Sequence, residues 1–156
     1  LHNYRQIRAA NKLIIQGGAE VYNHPKAHIQ GDIVKLEFDK ASYNSQRLVN
    51  EGTLMGLEEL RLTLPRGNVV NEARLQAGAL LHIHASRFYN NPSASTLSGG
   101  VMSLQANYIK NDQGEIFAQG NMTLEGQDEK VAAEVVNVTG DQQARIESMS
   151  DITIQA

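Results

Sequence analysis

Two histidines, His82 and His84, are the side chains whose type and spacing come nearest to a reactive centre. At i and i+2 on an extended strand they share one face, and two imidazoles can bind Zn²⁺ or Cu²⁺. A metal centre needs more donors than two. One repeat away on either side, the equivalent positions are Arg61/Thr63 and Ser103/Gln105, and Arg61 would repel a cation. The pair is a weak metal candidate, and the plainer reading is two solvated histidines. Carboxylates are the next resource, since polysaccharide lyases and hydrolases need them clustered on one face. Asp32, Asp39, Asp112, Asp128, Asp141 and Asp151 fall mostly at turns. The adjacent pairs Glu58-Glu59 and Asp128-Glu129 would point to opposite faces of a strand. No G-x-S-x-G elbow presents a nucleophile. Gly17-Gly18 and Gly99-Gly100 read as turns, with no phosphate loop around them. The acceptor patterns NMT (121–123) and NVT (137–139) arise readily in a chain rich in Asn and Thr and are given no role. The absence of Cys removes disulfides, thiolate metal sites and Cys nucleophiles. No catalytic residue and no cofactor is expected.

The chain that must carry these residues has 156 of them, the length of one domain. At 41% hydrophobic and 20% charged it can bury a core. A net charge of −3 argues against a nucleic-acid partner. No apolar run approaches the roughly 18 residues of a membrane-spanning helix. No signal-peptide pattern opens the sequence, which points to a cytoplasmic protein or to an internal piece of a larger one.

The sequence repeats. An aliphatic residue, a turn with small residues, and two or three apolar residues at alternate positions recur seven times. The clearest copy is GEIFAQGNMTLEG (114–126), with Ile116, Met122 and Leu124. Lead residues stand at 7, 29, 54, 75, 97, 116 and 146, a mean step of about 23 residues. AHIQGDIVKLEF (27–38) and STLSGGVMSLQA (95–106) read as copies one residue shorter in the turn. Between copies lies a β-branched or aromatic element: Val21-Tyr22, Val69-Val70, Phe88-Tyr89, Tyr108-Ile109 and Val135-Val136. Asn often follows, as at Asn23, Asn71, Asn90, Asn91 and Asn111, and Asn suits tight corners because it tolerates left-handed backbone.

Within each copy the apolar period is two, the period of a strand. No helical half accompanies it, as a leucine-rich repeat would require. The pattern predicts an all-β parallel β-helix, a solenoid of about seven coils of about 23 residues, over 1–156. Leu13/Ile15, Val34/Leu36, Leu60/Leu62, Leu81/Ile83, Met102/Leu104, Met122/Leu124 and Ile152/Ile154 should stack as two inward columns. The alternate residues, His82 and His84 among them, should face out. Longer loops are predicted near 39–47 and 127–134, the second with the composition of a short helix.

The copies resemble the haemagglutinin repeats of filamentous-haemagglutinin-like exoproteins of two-partner secretion systems. NDQGEIFAQGNMTLEG (111–126) matches that pattern closely, and NEARLQAGALLHIHA (71–85), STLSGGVMSLQA (95–106) and ARIESMSDITIQA (144–156) match well. NEGTLMGLEELRLTL (50–64) and the first two copies match loosely, and the Gly-Asp step of the family is mostly replaced. The resemblance implies a right-handed parallel β-helix in a filament secreted through an outer-membrane transporter and displayed on the bacterial surface. Members act in virulence as adhesins, as haemolysins, or as carriers of a toxin in contact-dependent growth inhibition. The expected partners are that transporter, a cell-surface receptor or glycan, and neighbouring coils of the parent filament, with no nucleic acid. The chain then reads as a non-enzymatic structural or interaction segment of a much larger protein. The alternative is a carbohydrate-active or glycan-binding β-helix domain, which three Phe and five Tyr would have to serve.

The inward columns give the first test. Leu62→Asp or Ile83→Asp would bury an unpaired charge in adjacent coils, at a cost of several kcal/mol. Chemical denaturation should show loss of cooperative unfolding, and a wild-type transition would refute the register.

Overall fold

The computed structural model describes residues 1–38, 46–128 and 130–156. Among the described residues sixteen strands belong to one sheet, every pairing is parallel, and no helix occurs. The sheet winds into a β-solenoid of about six turns, a parallel β-helix with three faces. The first face stacks β2 (Gln6–Arg8), the start of β5 (His28–Glu37), the start of β7 (Thr53–Asn71), β8 (Arg74–Ala77), β10 (Ser95–Ser98), β12 (Glu115–Ala118) and β15 (Arg145–Ser148). The second stacks β3 (Lys12–Gln16), the later part of β5, the middle of β7, the starts of β9 (Leu80–Asn90) and β11 (Val101–Asp112), β13 (Met122–Glu125) and β16 (Ile152–Ile154). The third stacks β1 (His2–Asn3), β4 (Glu20–Asn23), β6 (Gln46–Asn50), the ends of β7, β9 and β11, and β14 (Glu134–Val138). The predicted helix in the second long loop does not form among its described residues, and 39–45 of the first loop lie outside them.

The columns follow from side-chain alternation. Leu13, Val34, Leu60, Leu81, Met102, Met122 and Ile152 occupy one register position, and Ile15, Leu36, Leu62, Ile83, Leu104, Leu124 and Ile154 the next inward one. Leu62 and Ile83 are adjacent and fully buried. The third face adds Val21, Leu48, Val69, Phe88, Ile109 and Val135. Each large aliphatic side chain taken out of water contributes about 1.5–3 kcal/mol. The corner between the first two faces is tight, so Gly31, Gly56, Ala77, Ser98, Ala118 and Ser148 align there. At Gly56 an added Cβ would lie 1.9 Å from the Glu59 carbonyl oxygen.

One lead residue is corrected. Thr96, not Leu97, pairs with Leu75 and Ile116, and it is buried while Leu97 is only half-buried. The coil at 95–106 therefore has the full spacing, and only the coil at 27–38 is short, through an irregularity between Gly31 and Ile33. A hydroxyl is tolerated at 96 because Thr96 Oγ1 donates to Asn90 Oδ1 at 2.9 Å and accepts from Asn71 Nδ2 at 3.2 Å.

The asparagines are also corrected. They do not supply left-handed corners; among the described non-glycine residues positive φ falls on Lys26, Ser93 and Gln113. Instead Asn3, Asn23, Asn50, Asn71, Asn90, Asn111 and Asn137 form a ladder at the inner edge of the third face. From Asn3 to Asn111, each Nδ2 donates to the next Oδ1 at 2.8–3.0 Å. Each Nδ2 up to Asn111 also donates to a backbone carbonyl of the following coil, as Asn90 does to Glu115 at 3.2 Å. Asn91, which the sequence grouped with them, lies outside the ladder and donates to Glu72 at 2.5 Å on the surface.

Asn90→Ala deprives Thr96 and Asn71 of an acceptor and Asn111 of a donor. The expected loss is about 2–4 kcal/mol in urea unfolding, against about 1 kcal/mol or less for Asn137→Ala, whose side chain is exposed. Equal losses at the two positions would show that the ladder does not act as a connected network.

Candidate functional site

The second face turns its polar side outward. His82 lies between Arg61 and Ser103, and His84 between Thr63 and Gln105, as the stacking of copies predicts. The carboxylate of Glu59 is ion-paired with Arg61 and lies 3.8 Å from Lys35 Nζ. Gln105 Nε2 donates to Glu125 Oε1 at 2.5 Å. His82 is half-buried. Burial first, then the charges of Arg61 and His84, holds its imidazole below its ordinary pKa, which favours the neutral ring. Among the described residues no three His, Asp or Glu side chains converge as metal ligands. The structure therefore places His82 and His84 at alternate outward positions of β9, where, among the described residues, no third His, Asp or Glu joins them as a metal-ligand group. Glu58 is exposed while Glu59 is held by its cations, so these adjacent carboxylates do not form one acid/base pair. Glu129 lies outside the described residues.

A second arrangement occupies the third face between coils. Tyr89 and Tyr108 lie with ring centroids 5.7 Å apart and planes inclined by 53°. With Arg87, Asn107, Lys110 and Glu134 they line a shallow depression of about 560 Å³. Lys110 Nζ is 2.7 Å from Asp112 Oδ2, a contact that raises the lysine pKa and lowers that of the carboxyl. Both tyrosines are half-buried, and aromatic rings beside donors and acceptors can stack on a planar or sugar-like ligand. The sequence located both tyrosines at inter-strand elements, but that their rings meet depends on the coil register.

A third cluster was missed in the sequence. His2, Tyr4, Tyr22 and His24 stack near the first coil, with Tyr4 and His24 3.8 Å apart and Tyr22 and His24 4.2 Å apart. His2 Nδ1 and His24 Nε2 share a hydrogen bond of 3.1 Å, and His2 Nε2 is 3.3 Å from Glu20 Oε1. The available signal was spacing, since His2 and Tyr22 stand one coil apart in register.

The lowered pKa of His82 makes stability depend on pH. The unfolded chain binds this proton more readily than the folded one. The effect is absent above the ordinary imidazole value of about 6.5 and costs stability as pH falls below it. His82→Gln should therefore lose less stability than wild type between about pH 7.5 and about pH 5.5, read from urea midpoints. An unchanged acid-side slope would rule out His82 as a source. In comparisons with known proteins, no family model, no curated protein and no solved structure matches the chain.

Proposed function

We propose that the chain is a non-enzymatic structural segment of a β-helical filament, belonging to a secreted or surface-displayed bacterial exoprotein of the filamentous-haemagglutinin kind. In that reading it serves adhesion or contact-dependent toxin delivery, and its parent leaves the cell through a two-partner outer-membrane transporter. The observation that carries this reading is the continuity of the interior. Aliphatic columns and the asparagine ladder pass through successive coils without a break, which suits a rod. Some outward polar groups are engaged with one another, as in Lys35–Glu59–Arg61 and Gln105–Glu125. The haemagglutinin-like copies add the surface location and the secretion route. A second reading, glycan binding, is favoured by one observation, the Tyr89–Tyr108 pair with Arg87, Lys110 and Glu134 beside it.

A spacer tolerates loss of a whole unit. Deleting residues 74–94 from the parent joins 73 to 95, and Ser95 already stands in register with Arg74. The expected outcome is a shorter filament with adhesion or delivery retained. The purified chain should release no reducing ends from polysaccharides. Loss of parent activity on deletion, reproduced by Tyr89→Ala with Tyr108→Ala and accompanied by loss of glycan-array binding, would replace the spacer with the glycan-binding reading.

A further inference from the structure

Asn91 and Pro92 form the only Asn–Pro bond in the sequence, and it lies at the outer corner between the third face and the first. Asn91 is half-buried there, and Pro92 and Ser93 are exposed. The bond is pinned from both sides. The Asn91 N–H donates to the Asn71 carbonyl of the preceding coil at 2.9 Å, and the Ser93 N–H donates to the Gln113 carbonyl of the following coil at 3.2 Å. The Ala94 N–H closes the turn on the Asn91 carbonyl oxygen at 3.0 Å. Asn91 stands outside the ladder, and its Nδ2 donates to Glu72 Oε1 at 2.5 Å. One corner thus assembles a polarised carbonyl, a side-chain nitrogen next to it, and a carboxylate on that nitrogen's proton.

We propose that Asn91–Pro92 is a self-cleaving bond. Asn91 Nδ2 attacks the Asn91 carbonyl carbon and closes a five-membered ring. Glu72 takes the proton that Nδ2 gives up, and the Ala94 N–H stabilises the oxyanion. Collapse breaks the bond from that carbon to the Pro92 nitrogen, which takes up the proton and leaves as a new amino terminus. Residue 91 ends as a succinimide, and the step consumes no water, metal or oxidant. Pro92 also closes the competing route. It has no N–H, so the next backbone nitrogen cannot attack the side-chain amide and deamidate it. Each molecule reacts once, without turnover, and the proposal goes beyond the filament reading without depending on it.

A second turn is the internal control. In His24-Pro25-Lys26-Ala27 the Ala27 N–H donates to the His24 carbonyl at 3.0 Å, and φ is 64° at Lys26 against 66° at Ser93. Turn hydrogen bond and left-handed strain are therefore alike in the two turns. His24 has no side-chain amide, so the nucleophile and its base are what set Asn91 apart. Cleavage leaves the fold standing, because residues 1–91 and 92–156 remain paired through β8–β10 and β9–β11. The solenoid keeps its shape while the backbone no longer carries tension across that corner.

Incubation of the purified chain for several days at neutral pH, with denaturing electrophoresis and intact-mass measurement, tests this. Two fragments should accumulate at a rate independent of protein concentration and of protease inhibitors. The fragment 1–91 should at first be lighter by one water than its hydrolysis product, and the other should begin at Pro92. Glu72→Gln keeps an oxygen for Nδ2 but cannot take its proton, and should slow cleavage about tenfold or more. Asn91→Ala should abolish it, and the His24–Pro25 bond should stay intact. Circular dichroism and urea midpoints confirm that each variant is folded. An intact chain at every time overturns the proposal. So does cleavage that is equally fast in Glu72→Gln or in urea-unfolded chain, or a fragment 1–91 that ends in a free carboxylate from the earliest times.

Discussion

Parallel register between coils is the constraint on which the rest of this structure depends, and the asparagine ladder is where it is enforced most strictly. Aliphatic columns fix which face of a strand points inward, yet a leucine can exchange with a methionine or an isoleucine at little cost. A buried carboxamide has no such latitude. Its Nδ2 must find an oxygen and its Oδ1 a donor, or the group remains unsatisfied. Asn71, Asn90 and Asn111 meet both needs only when adjacent coils are aligned residue for residue. The apolar columns supply most of the free energy, and the ladder makes one alignment much better than its neighbours.

This division explains what each surface can do. With the interior given over to register, the outward side chains are free to vary, and they differ from coil to coil. Arg61, His82 and Ser103 succeed one another at a single outward position, whereas inward positions hardly change character. Ion pairs on the second face, tyrosines on the third and a histidine–tyrosine stack near the first coil are local events on a uniform support. Such a scaffold can present chemistry anywhere along its length without rebuilding its core.

The fold was legible because its strongest signal is local: alternation within four or five residues places Leu81 and Ile83 inward and His82 and His84 outward with no knowledge of neighbouring coils. Stacking of seven such segments then followed from their spacing. The lead residue at 96 was misread because a buried threonine looks like a surface residue until its partners Asn71 and Asn90 are in place. Asn3, Asn50 and Asn137 escaped the pattern, and Asn91 entered it wrongly, for the same reason. Their role lies in bonds between residues about one coil apart, and no local rule distinguishes a ladder asparagine from a corner asparagine. The histidine–tyrosine stack and the tyrosine depression likewise require knowing which residues of successive coils stand side by side. The neighbours of His82, by contrast, were legible, since stacking of the copies already assigned Arg61 and Ser103 to either side of it.

The orientation of the hydrogen bonds also sets how the molecule responds to force. Strands run across the axis of the solenoid, so ladder bonds lie along it, and tension applied through the chain ends acts on the outermost coil before any other. That coil peels while its neighbours stay zipped. The stretch from Arg74 to Ala94 advances the rod by one strand spacing, about 4.8 Å, but as extended chain it reaches about 70 Å. A solenoid built this way would be stiff under small loads and lengthen in discrete steps under large ones. Each step would dissipate the work of opening one coil, a mechanical consequence of coil-by-coil architecture.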